Sequence, residues 1–384
     1  MSWSFEDSDD LKLMRDAIRE FAVQEIAPKA FELDRDEIFS ESLTQKMGEL
    51  GLLGALVSEK YGGQELSSLT YITIVEELAR VDGSQAATIA AHNSLGVKPL
   101  ENFGTEEQKE RFLPHICAGK GLWGFALTEA EAGSDARASK TVAEQDGDDW
   151  ILRGSKIWIT NSACSMTDGM TVQAVTGKDS KGRTELSCFL LPAGTPGLTA
   201  KTMKDKMMWR ASNTGELYFD DVRIPKNMML GKRGEGFHIM MQTLDSGRLS
   251  IAAMGLGLAK GALDMTLKYA NERKTFGRPI AQHQAVGFKL AEMATRVEAA
   301  EGLLYKACWL KDEGKPYAKQ AAMAKLYCSE VAEYCAREGQ QTFGGYGLMK
   351  EYPIERFYRD AALLRIGEGT SEIQRLVIAR SIGC

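Results

Sequence analysis

A central stretch of short strand-like runs, bounded on both sides by helical periodicity, limits the folds that this chain can adopt. The runs span residues 122–127, 150–152, 156–160, 170–176, 186–191 and 216–219. Turn-forming sequences such as Gln145-Asp146-Gly147-Asp148 separate them. Because no helical pattern lies between them, the runs predict an antiparallel β domain or a small barrel.

Helical periodicity fills the rest of the chain. Near the N-terminus, apolar residues recur at helical spacing, as at Leu11, Met14 and Ile18, after a candidate N-cap at Ser8. After Gly234 the pattern predicts four long helices, over residues 236–274, 282–312, 317–343 and 372–382. Their short connections are typical of an antiparallel four-helix bundle.

These patterns predict a mainly α-helical fold with a central β domain. We expect a helical N-terminal domain at residues 1–121 and a middle antiparallel β-barrel-like domain at residues 122–231. A C-terminal four-helix bundle is expected at residues 232–384.

One glycine motif needs a separate interpretation. Gly255-x-Gly257-x-x-x-Gly261 resembles the glycine fingerprint of dinucleotide-binding folds, but it lies inside a continuous helical pattern and does not follow a strand. The motif therefore predicts close packing between helices and not NAD binding.

The composition argues against several classes of function. The net charge of −6 and the lack of a basic run predict no nucleic-acid partner. No run of about 18 apolar residues is present, so no membrane span is expected. The seven cysteines form no CxxC pair and the four histidines are isolated, so neither a disulfide framework nor a metal site is expected.

The N-terminal sequence MSWSFEDSDD is acidic and lacks the apolar segment of a signal peptide. It is also unlike a transit peptide. The expected location is therefore the cytoplasm, or the mitochondrial matrix if this is a processed mature chain.

A single carboxylate, Glu368, lies between two glycines in the segment RIGEGTSEIQR, residues 365–375. Flanking glycines permit a turn that directs a side chain into a cavity. A carboxylate among apolar groups has a raised pKa and can act as a proton-transfer base. The alternative is a helix N-cap at Thr370 or Ser371 with Glu368 in solvent, and this stretch taken alone favours the cap.

Three further segments have sequences that suit a cofactor. FALTEAEAGSD, residues 125–135, runs from a strand into small turn-forming residues whose backbone N–H groups can cradle an anion. In KIWITN, Trp158 and Thr160 lie on one face of a strand, which suits packing on a flat ring. NERKTFGRP, residues 271–279, gathers arginines that suit a pyrophosphate. The alternatives are an acidic loop, a core tryptophan and a charged helix end.

Together with QQTFGGYG, these segments closely resemble the acyl-CoA dehydrogenase family, most of all its short-chain, butyryl-type members. The motifs FALTEAEAGSD, KIWITN, ERKTFGRPI, QQTFGGYG and IGEGTSEIQR occur in the family's order over essentially the whole chain. The resemblance implies the same three domains with FAD bound between them. It implies oxidation of an acyl-CoA to the trans-2-enoyl-CoA, in which Glu368 removes the α-proton and the β-hydrogen passes as hydride to flavin N5.

The resemblance also assigns contacts. The implied FAD contacts are Phe125, Leu127, Thr128, Ser134, Trp158, Ile159, Thr160, Arg273, Phe276, Gln284, Gln341, Gly344, Gly345, Thr370 and Glu372. The implied acyl-CoA contacts are Ser134, Asp245, Arg248, Gly369 and Arg380. Residues 341–345 would hold the adenosine of FAD in a neighbouring subunit, which implies a homotetramer. Electron-transfer flavoprotein is the implied electron acceptor, and no metal is implied.

Two departures from the family pattern narrow the choice of the catalytic base and of the acyl group. Some relatives place the base on the bundle helix, where this chain has Gly247, so Glu368 keeps that role. The arginine of glutaryl-CoA members is missing from the segment Ser84-Gln85-Ala86-Ala87, which disfavours a distal carboxylate. We expect a short to medium, or a compact branched or cyclic, acyl group. Two roles are open for His92, contact with substrate or a satisfied core histidine.

Two alternatives to a dehydrogenase stay open at this point. One is an acyl-CoA oxidase-type flavoprotein that uses oxygen, and the other is a non-catalytic acyl-CoA-binding relative. The presence of base, flavin loop and tryptophan strand argues against the second.

Overall fold

The computed structural model describes residues 8–384, which form a helical part, a β part and a second helical part in chain order. The prediction that the N-terminal sequence is neither a signal nor a transit peptide falls largely outside the described residues. Ser8 caps the first helix, because its hydroxyl accepts a hydrogen bond from the backbone N–H of Leu11 at 3.2 Å.

Between residues 8 and 121, seven α-helices form the first part. They are α1 (Asp9–Phe21), α2 (Ala27–Asp36), α3 (Glu41–Glu49), α4 (Ser68–Ala79), α5 (Gly83–Ala90), α6 (Lys98–Phe103) and α7 (Glu106–Cys117). Two π-helical segments interrupt this order: Ala22–Ile26 joins α1 to α2, and Ala91–Val97 joins α5 to α6. The second π-helical segment carries His92 and Leu95 to the border with the other two parts.

The middle part is one eight-stranded sheet. Its strands are β1 (Leu122–Ala126), β2 (Val142–Asp146), β3 (Asp149–Thr160), β4 (Thr167–Lys178), β5 (Thr184–Pro192), β6 (Leu198–Thr202), β7 (Thr214–Ile224) and β8 (Met229–Leu230). The strand order is β6-β7-β3-β2-β4-β5-β8, with β1 beside β4. Most neighbours are antiparallel, whereas β1 and β2 pair with β4 in parallel. The sequence does not predict β2 and β6, because both are largely exposed and lack an apolar run.

The last part is a helical bundle. It comprises α8 (Gly236–Glu272), α9 (Gln284–Asp312), α10 (Ala318–Phe343), α11 (Ile354–Leu364) and α12 (Ser371–Ser381), with a short hairpin of β9 (Lys274–Thr275) and β10 (Arg278–Pro279) after α8. Four of these helices match the predicted ones, and α11 is an additional helix. Its apolar residues Ile354, Phe357, Ala361 and Leu364 have helical spacing, but it follows a stretch rich in glycine.

The helix α8 packs tightly against both neighbours through its glycines. A Cβ at Gly255 would lie 2.8 Å from the carbonyl oxygen of Cys328 on α10, and one at Gly257 would lie 2.2 Å from that of Glu76 on α4. The prediction that this glycine motif serves helix packing is therefore confirmed. The close approach fixes the N-terminal helices against the bundle, which sets the border where Glu368 lies.

Buried charges reinforce that border. Glu76 on α4 is fully buried and receives Lys260 of α8 at 2.6 Å and Arg15 of α1 at 3.3 Å. Buried ion pairs of this kind hold elements in a defined register more than they add stability. The predicted domain boundaries after residues 121 and 231 fall between α7 and β1 and between β8 and α8, and they stay a prediction.

Among residues 8–384, no helix is long and apolar enough to cross a membrane. The same residues contain no group of three His, Cys, Asp or Glu side chains that could hold a metal ion.

Candidate active site

Glu368 lies in the connection between α11 and α12, where the chain turns sharply. Glu368 has φ +52° and Gly369 has φ +96°, so both adopt the left-handed conformation that favours glycine. Thr370 is the N-cap of α12, since its Oγ1 accepts a hydrogen bond from the backbone N–H of Ile373 at 3.3 Å. The cap and an inward-pointing Glu368 therefore occur together, in consecutive parts of one turn.

The carboxylate of Glu368 points to the junction between the bundle and the N-terminal helices. Its Oε2 atom is fully buried and has no hydrogen-bond partner within residues 8–384. The space exists because α8 has glycine there: a Cβ at Gly247 would lie 2.1 Å from Glu368 Oε2 and 2.7 Å from Leu95 Cδ2. Burial raises the pKa of Glu368 to about 7, although Lys325 and Arg248 act in the opposite direction. Such a carboxyl group can exchange a proton near neutral pH.

The backbone of the turn is held from inside the bundle. The carbonyl oxygen of Gly369 accepts hydrogen bonds from Lys325 Nζ at 2.7 Å and from Gln374 Nε2 at 2.9 Å. The N–H of Ser371 donates to the carbonyl oxygen of Arg365 at 2.9 Å. In the described part of the chain the N–H of Glu368 itself has no acceptor, which leaves it available to a ligand oxygen.

Arg248, an expected acyl-CoA contact, follows Gly247 on α8 and is buried. Its Nη1 donates to Asp245, the other expected contact on this helix. Its Nε is buried without a partner among the described residues. The pair therefore holds a guanidinium whose Nε–H stays unpaired and whose charge acts on Glu368.

A buried ion pair supports the expected flavin loop between β1 and β2. Glu129 accepts hydrogen bonds from Lys156 Nζ at 2.6 Å and from the backbone N–H of Lys140 at 2.6 Å. Burial alone would raise the pKa of Glu129, but Lys156 lowers it to about 2. Lys156 also donates to the carbonyl oxygen of Leu127 at 3.0 Å, and the N–H of Ile157 donates to that of Thr128 at 3.0 Å. The loop is thus tied directly to the tryptophan strand.

On that strand the pairing of β3 with β7 is irregular between Lys156 and Ile159. Trp158 occupies the irregularity with φ +60° and is 58% exposed. Ile159, an expected FAD contact, points into the core, so only its backbone can meet a ligand. Thr160, two residues further on, is half-buried. The exposure of Trp158 shows that it is not a core tryptophan.

A second group of expected contacts lies at one end of the bundle. The guanidinium of Arg273 lies 5.8 Å from the ring centre of Tyr346, which joins the hairpin after α8 to the segment after α10. Phe276 has φ +50° and is 96% exposed. A Cβ at Gly344 or at Gly345 would meet no atom within 4 Å, so this segment borders open space. Gln284, Gln341, Arg273 and both glycines are exposed.

The remaining expected contacts are less closely grouped. Phe125 is half-buried at the end of β1, and Leu127 is buried after it. Ser134, Glu372 and Arg380 are exposed on the flavin loop and on α12.

His92 is a satisfied core histidine. It is fully buried, its Nδ1 accepts the N–H of Trp123 at 3.0 Å, and its Nε2 lies 3.0 Å from the carbonyl oxygen of Leu53. Burial disfavours the cation and lowers the pKa of His92 to about 4, although the hydrogen bond to Leu53 acts in the opposite direction. The structure therefore favours the role of a satisfied core histidine over contact with substrate.

Three family profiles match the chain in order. The N-terminal domain of acyl-CoA dehydrogenases matches residues 8–120, the middle domain matches residues 124–222, and the C-terminal domain matches residues 234–383. The chain belongs to the acyl-CoA dehydrogenase family. The predicted family, fold class and enzyme class are confirmed.

Members of the acyl-CoA dehydrogenase family resemble the chain over its full length. A probable acyl-CoA dehydrogenase of Bacillus subtilis (strain 168) is 46% identical over 99% of both chains. The structure of butyryl-CoA dehydrogenase from Megasphaera elsdenii has a TM-score of 0.95 and 41% identity, covering 99% of this chain and 100% of that one. A structure described as the electron transferring flavoprotein of Acidaminococcus fermentans contains a chain with TM-score 0.95 and 44% identity, covering 99% and 100%.

FAD is the cofactor that the sequence predicts, and family membership confirms it. A crystal structure of an acyl-CoA dehydrogenase from Bacillus anthracis complexed with FAD has TM-score 0.92 and 34% identity, covering 98% of this chain and 67% of that one. The residues present here fit such a group. Trp158 and Phe276 expose large aromatic faces, and Gly344 and Gly345 leave room for a ligand against the backbone.

Sequence reasoning missed several residues of this acyl-CoA dehydrogenase site. Lys325 and the Glu129–Lys156 pair hold the backbone of the expected residues in place. Only the tertiary contacts of the folded chain reveal these interactions. For Lys325 a signal exists, since this charged residue interrupts the apolar stretch AAMAKLYC, whose alanines are mostly buried. A lysine there predicts a specific buried partner.

Proposed function

We propose that this chain dehydrogenates an acyl-CoA thioester between Cα and Cβ, with Glu368 as the base that removes the α-proton. The observation that carries the proposal is the buried, unpaired Oε2 of Glu368, held in a left-handed turn against Gly247. A structural carboxylate would have a hydrogen-bond partner, since leaving it without one is unfavourable. The strain and the missing partner together indicate a ligand-facing role.

The residues of the chain can assist the proton transfer in three ways. The free N–H of Glu368 can donate to the thioester oxygen as negative charge develops there. The wall formed by Gly247 and Leu95 keeps water away from Oε2, which sustains the raised pKa. Arg248, oriented by Asp245, has an unpaired Nε–H that can donate to the acyl-CoA. FAD, when bound, supplies the acceptor for the β-hydride.

We assign the ligand contacts as the family motifs suggest. Phe125, Leu127, Thr128, Trp158 and Thr160 would hold the flavin ring, with Ile159 contributing its backbone. Ser134 would meet the CoA arm as well as the cofactor, Gly369 the acyl group and Arg380 the CoA nucleotide. The remaining FAD contacts are Arg273, Phe276, Gln284, Gln341, Gly344, Gly345, Thr370 and Glu372.

A short or compact acyl group is the substrate we favour. Leu95 fills space next to Gly247 and so limits the room beside the base. Similarity to a butyryl-CoA dehydrogenase supports the same size range. A panel of straight, branched, cyclic and dicarboxylic acyl-CoAs, scored by bleaching of the flavin, tests this choice. Fastest bleaching by a long-chain or dicarboxylic acyl-CoA would contradict it.

The decisive experiment compares Glu368→Gln with wild type. The variant should keep FAD and still bind butyryl-CoA. Its rate of flavin reduction should be at least about 1,000-fold lower than that of wild type, since it lacks the proton acceptor. Anaerobic stopped-flow absorbance measures the reduction. Glu351→Gln removes an exposed carboxylate of the same part of the chain and should reduce at the wild-type rate. Near-normal reduction in Glu368→Gln would place the base elsewhere.

We further propose that electron-transfer flavoprotein accepts the electrons and that the chain assembles as a homotetramer. The similarity to a chain from the electron transferring flavoprotein structure supports the first point. Reoxidation of the reduced enzyme by oxygen within one turnover would instead indicate an oxidase. A bacterial cytoplasm or a mitochondrial matrix is the proposed location, and all seven cysteines are free, as expected in either.

A further inference from the structure

Lys325 is a buried lysine in the middle of α10. Its side chain has no solvent exposure, and its Nζ donates to the carbonyl oxygen of Gly369 at 2.7 Å. Burying an ammonium group is unfavourable unless charges and hydrogen bonds compensate it. Its neighbours Ala324 and Leu326 on α10 carry no charge, whereas the Glu368 turn supplies both a hydrogen-bond acceptor and a negative charge.

The hydrogen bond alone does not account for this lysine. Gln374 Nε2 already donates to the same carbonyl oxygen at 2.9 Å, and Gln374 is itself fully buried. A neutral donor therefore suffices to hold the peptide of Gly369. What Lys325 adds is a positive charge next to the residue that follows Glu368.

Among residues 8–384, the charged or titratable groups that interact with this turn from the elements packed around it are Lys325 on α10, Arg248 on α8, Tyr71 on α4 and Glu372 on α12. The guanidinium of Arg248 is paired with Asp245. Lys325 forms no ion pair within 4.0 Å to a carboxylate of the described chain, so Glu368 is the acidic group that its charge acts on most.

The pKa values agree with this arrangement. Burial lowers the pKa of Lys325 to about 8, and Glu368 opposes that shift. Burial raises the pKa of Glu368 to about 7, and Lys325 opposes that shift. At neutral pH the ammonium is largely protonated and stabilises the ionised carboxylate.

We infer that Lys325 is a positioning residue for the proposed proton transfer: its buried ammonium anchors the turn at Gly369 and favours the ionised form of Glu368, which accepts the α-proton. The inference rests on the proposed function of Glu368. An acyl chain that fills the site removes further water from the carboxylate, so a fixed internal cation matters most in the substrate complex.

Two charge-removing substitutions test the inference in the FAD-loaded enzyme. Lys325→Met removes both the charge and the donor, whereas Lys325→Gln keeps an N–H donor for the Gly369 carbonyl. Lys325→Arg restores the charge, and Lys306→Met removes an exposed lysine of the same bundle as a control. If Lys325→Met does not fold, Lys325→Gln alone still tests the effect of charge.

The first measurement is the pH dependence of flavin reduction by butyryl-CoA. Both neutral variants should shift the apparent pKa of the base upward by at least about one unit, which slows reduction about fivefold at pH 7 and about tenfold below pH about 6. Above pH about 9, where the wild-type lysine is itself neutral, the rates should converge. Lys325→Arg and Lys306→Met should follow the wild-type profile.

The second measurement needs no turnover. Infrared difference spectra of the substrate-free enzyme follow the carboxylic acid band that is lost in Glu368→Gln, and this band should persist to higher pH in Lys325→Gln. An unmoved profile and band, or an equal loss of rate at every pH, would overturn the inference. Normal flavin reduction by Glu368→Gln would instead overturn the proposed function, whatever the Lys325 variants do.

Discussion

Three non-glycine residues of the candidate site have strained backbone conformations. Trp158, Phe276 and Glu368 have φ values of +60°, +50° and +52°, a region that non-glycine residues seldom occupy. Each costs roughly 1–3 kcal/mol and persists only where surrounding contacts enforce it. The flanking glycines hint at the turn around Glu368, but nothing in the sequence indicates the conformation of Trp158, which depends on the irregular pairing of β3 with β7.

Gly247 is the residue whose size the site tolerates least. In Gly247→Ala the new Cβ would overlap Glu368 Oε2, which lies 2.1 Å from its position, so the carboxylate must move. A displacement of about 1 Å can lower a rate by about 100-fold, and we expect that loss in flavin reduction by butyryl-CoA. Stopped-flow absorbance measures it.

The matched control is Gly302→Ala on α9, where a Cβ would meet no atom within 4 Å. This control should react at the wild-type rate and gain up to about 1 kcal/mol of stability from better helix propensity. If both alanine variants reduce the flavin equally fast, the carboxylate does not depend on the space at Gly247.

At the level of elements, sequence periodicity predicts the helices and strands that are defined by a buried apolar face. The helices α8, α9 and α10 and the buried strand β5 follow from their apolar patterns. The exposed strands β2 and β6 form because they pair with β3 and β7, respectively. Such pairing between segments cannot be predicted from a local sequence pattern. In the site, motif residues on turns could be predicted, whereas Lys325 and Lys156 act through contacts between distant segments.

The ion pair between Lys156 and Glu129 joins two such distant segments, and its removal can be tested. Lys156→Met leaves Glu129 buried and without its cation, so we expect a loss of roughly 3–5 kcal/mol in the free energy of unfolding. Because the same lysine holds the carbonyl of Leu127, the flavin loop should loosen, and FAD affinity should fall at least about tenfold.

Chemical denaturation and FAD titration of the apoprotein measure the two effects of Lys156→Met. Lys140→Met, which removes an exposed lysine that contacts Glu131 on the same loop, is the control and should change neither quantity substantially. Unchanged FAD affinity in Lys156→Met would mean that the ion pair stabilises the sheet without shaping the loop.

At the level of the whole molecule, several large apolar side chains are exposed on the segments that follow α8 and α10 and at the start of α9. Phe276, Phe288, Leu348 and Met349 are all exposed in the single chain. Their elements also carry Arg273, Gln341 and Gly344, which the family pattern assigns to FAD. A surface that combines apolar residues with cofactor contacts fits the proposed tetramer, in which each bundle would complete a neighbour's FAD site.

Phe276→Ser tests this proposal, because Phe276 is 96% exposed and makes little contact within its own chain. Its removal should leave the fold of the subunit intact. Burial of a phenylalanine at an interface contributes roughly 1.5–3 kcal/mol, so each weakened contact should raise the dissociation constant by at least about tenfold. Analytical ultracentrifugation should show smaller species at low micromolar concentration, with FAD lost as the subunits separate.

The control for Phe276→Ser is Leu13→Ser, which removes an exposed apolar residue from α1. It should keep both the mass and the FAD content of wild type, because α1 carries no expected FAD contact. Added FAD should drive Phe276→Ser back toward the larger species, since a cofactor that bridges two subunits stabilises their assembly by mass action. If Phe276→Ser loses FAD without any change in mass, Phe276 contacts the cofactor within one subunit, and the shared site is wrong.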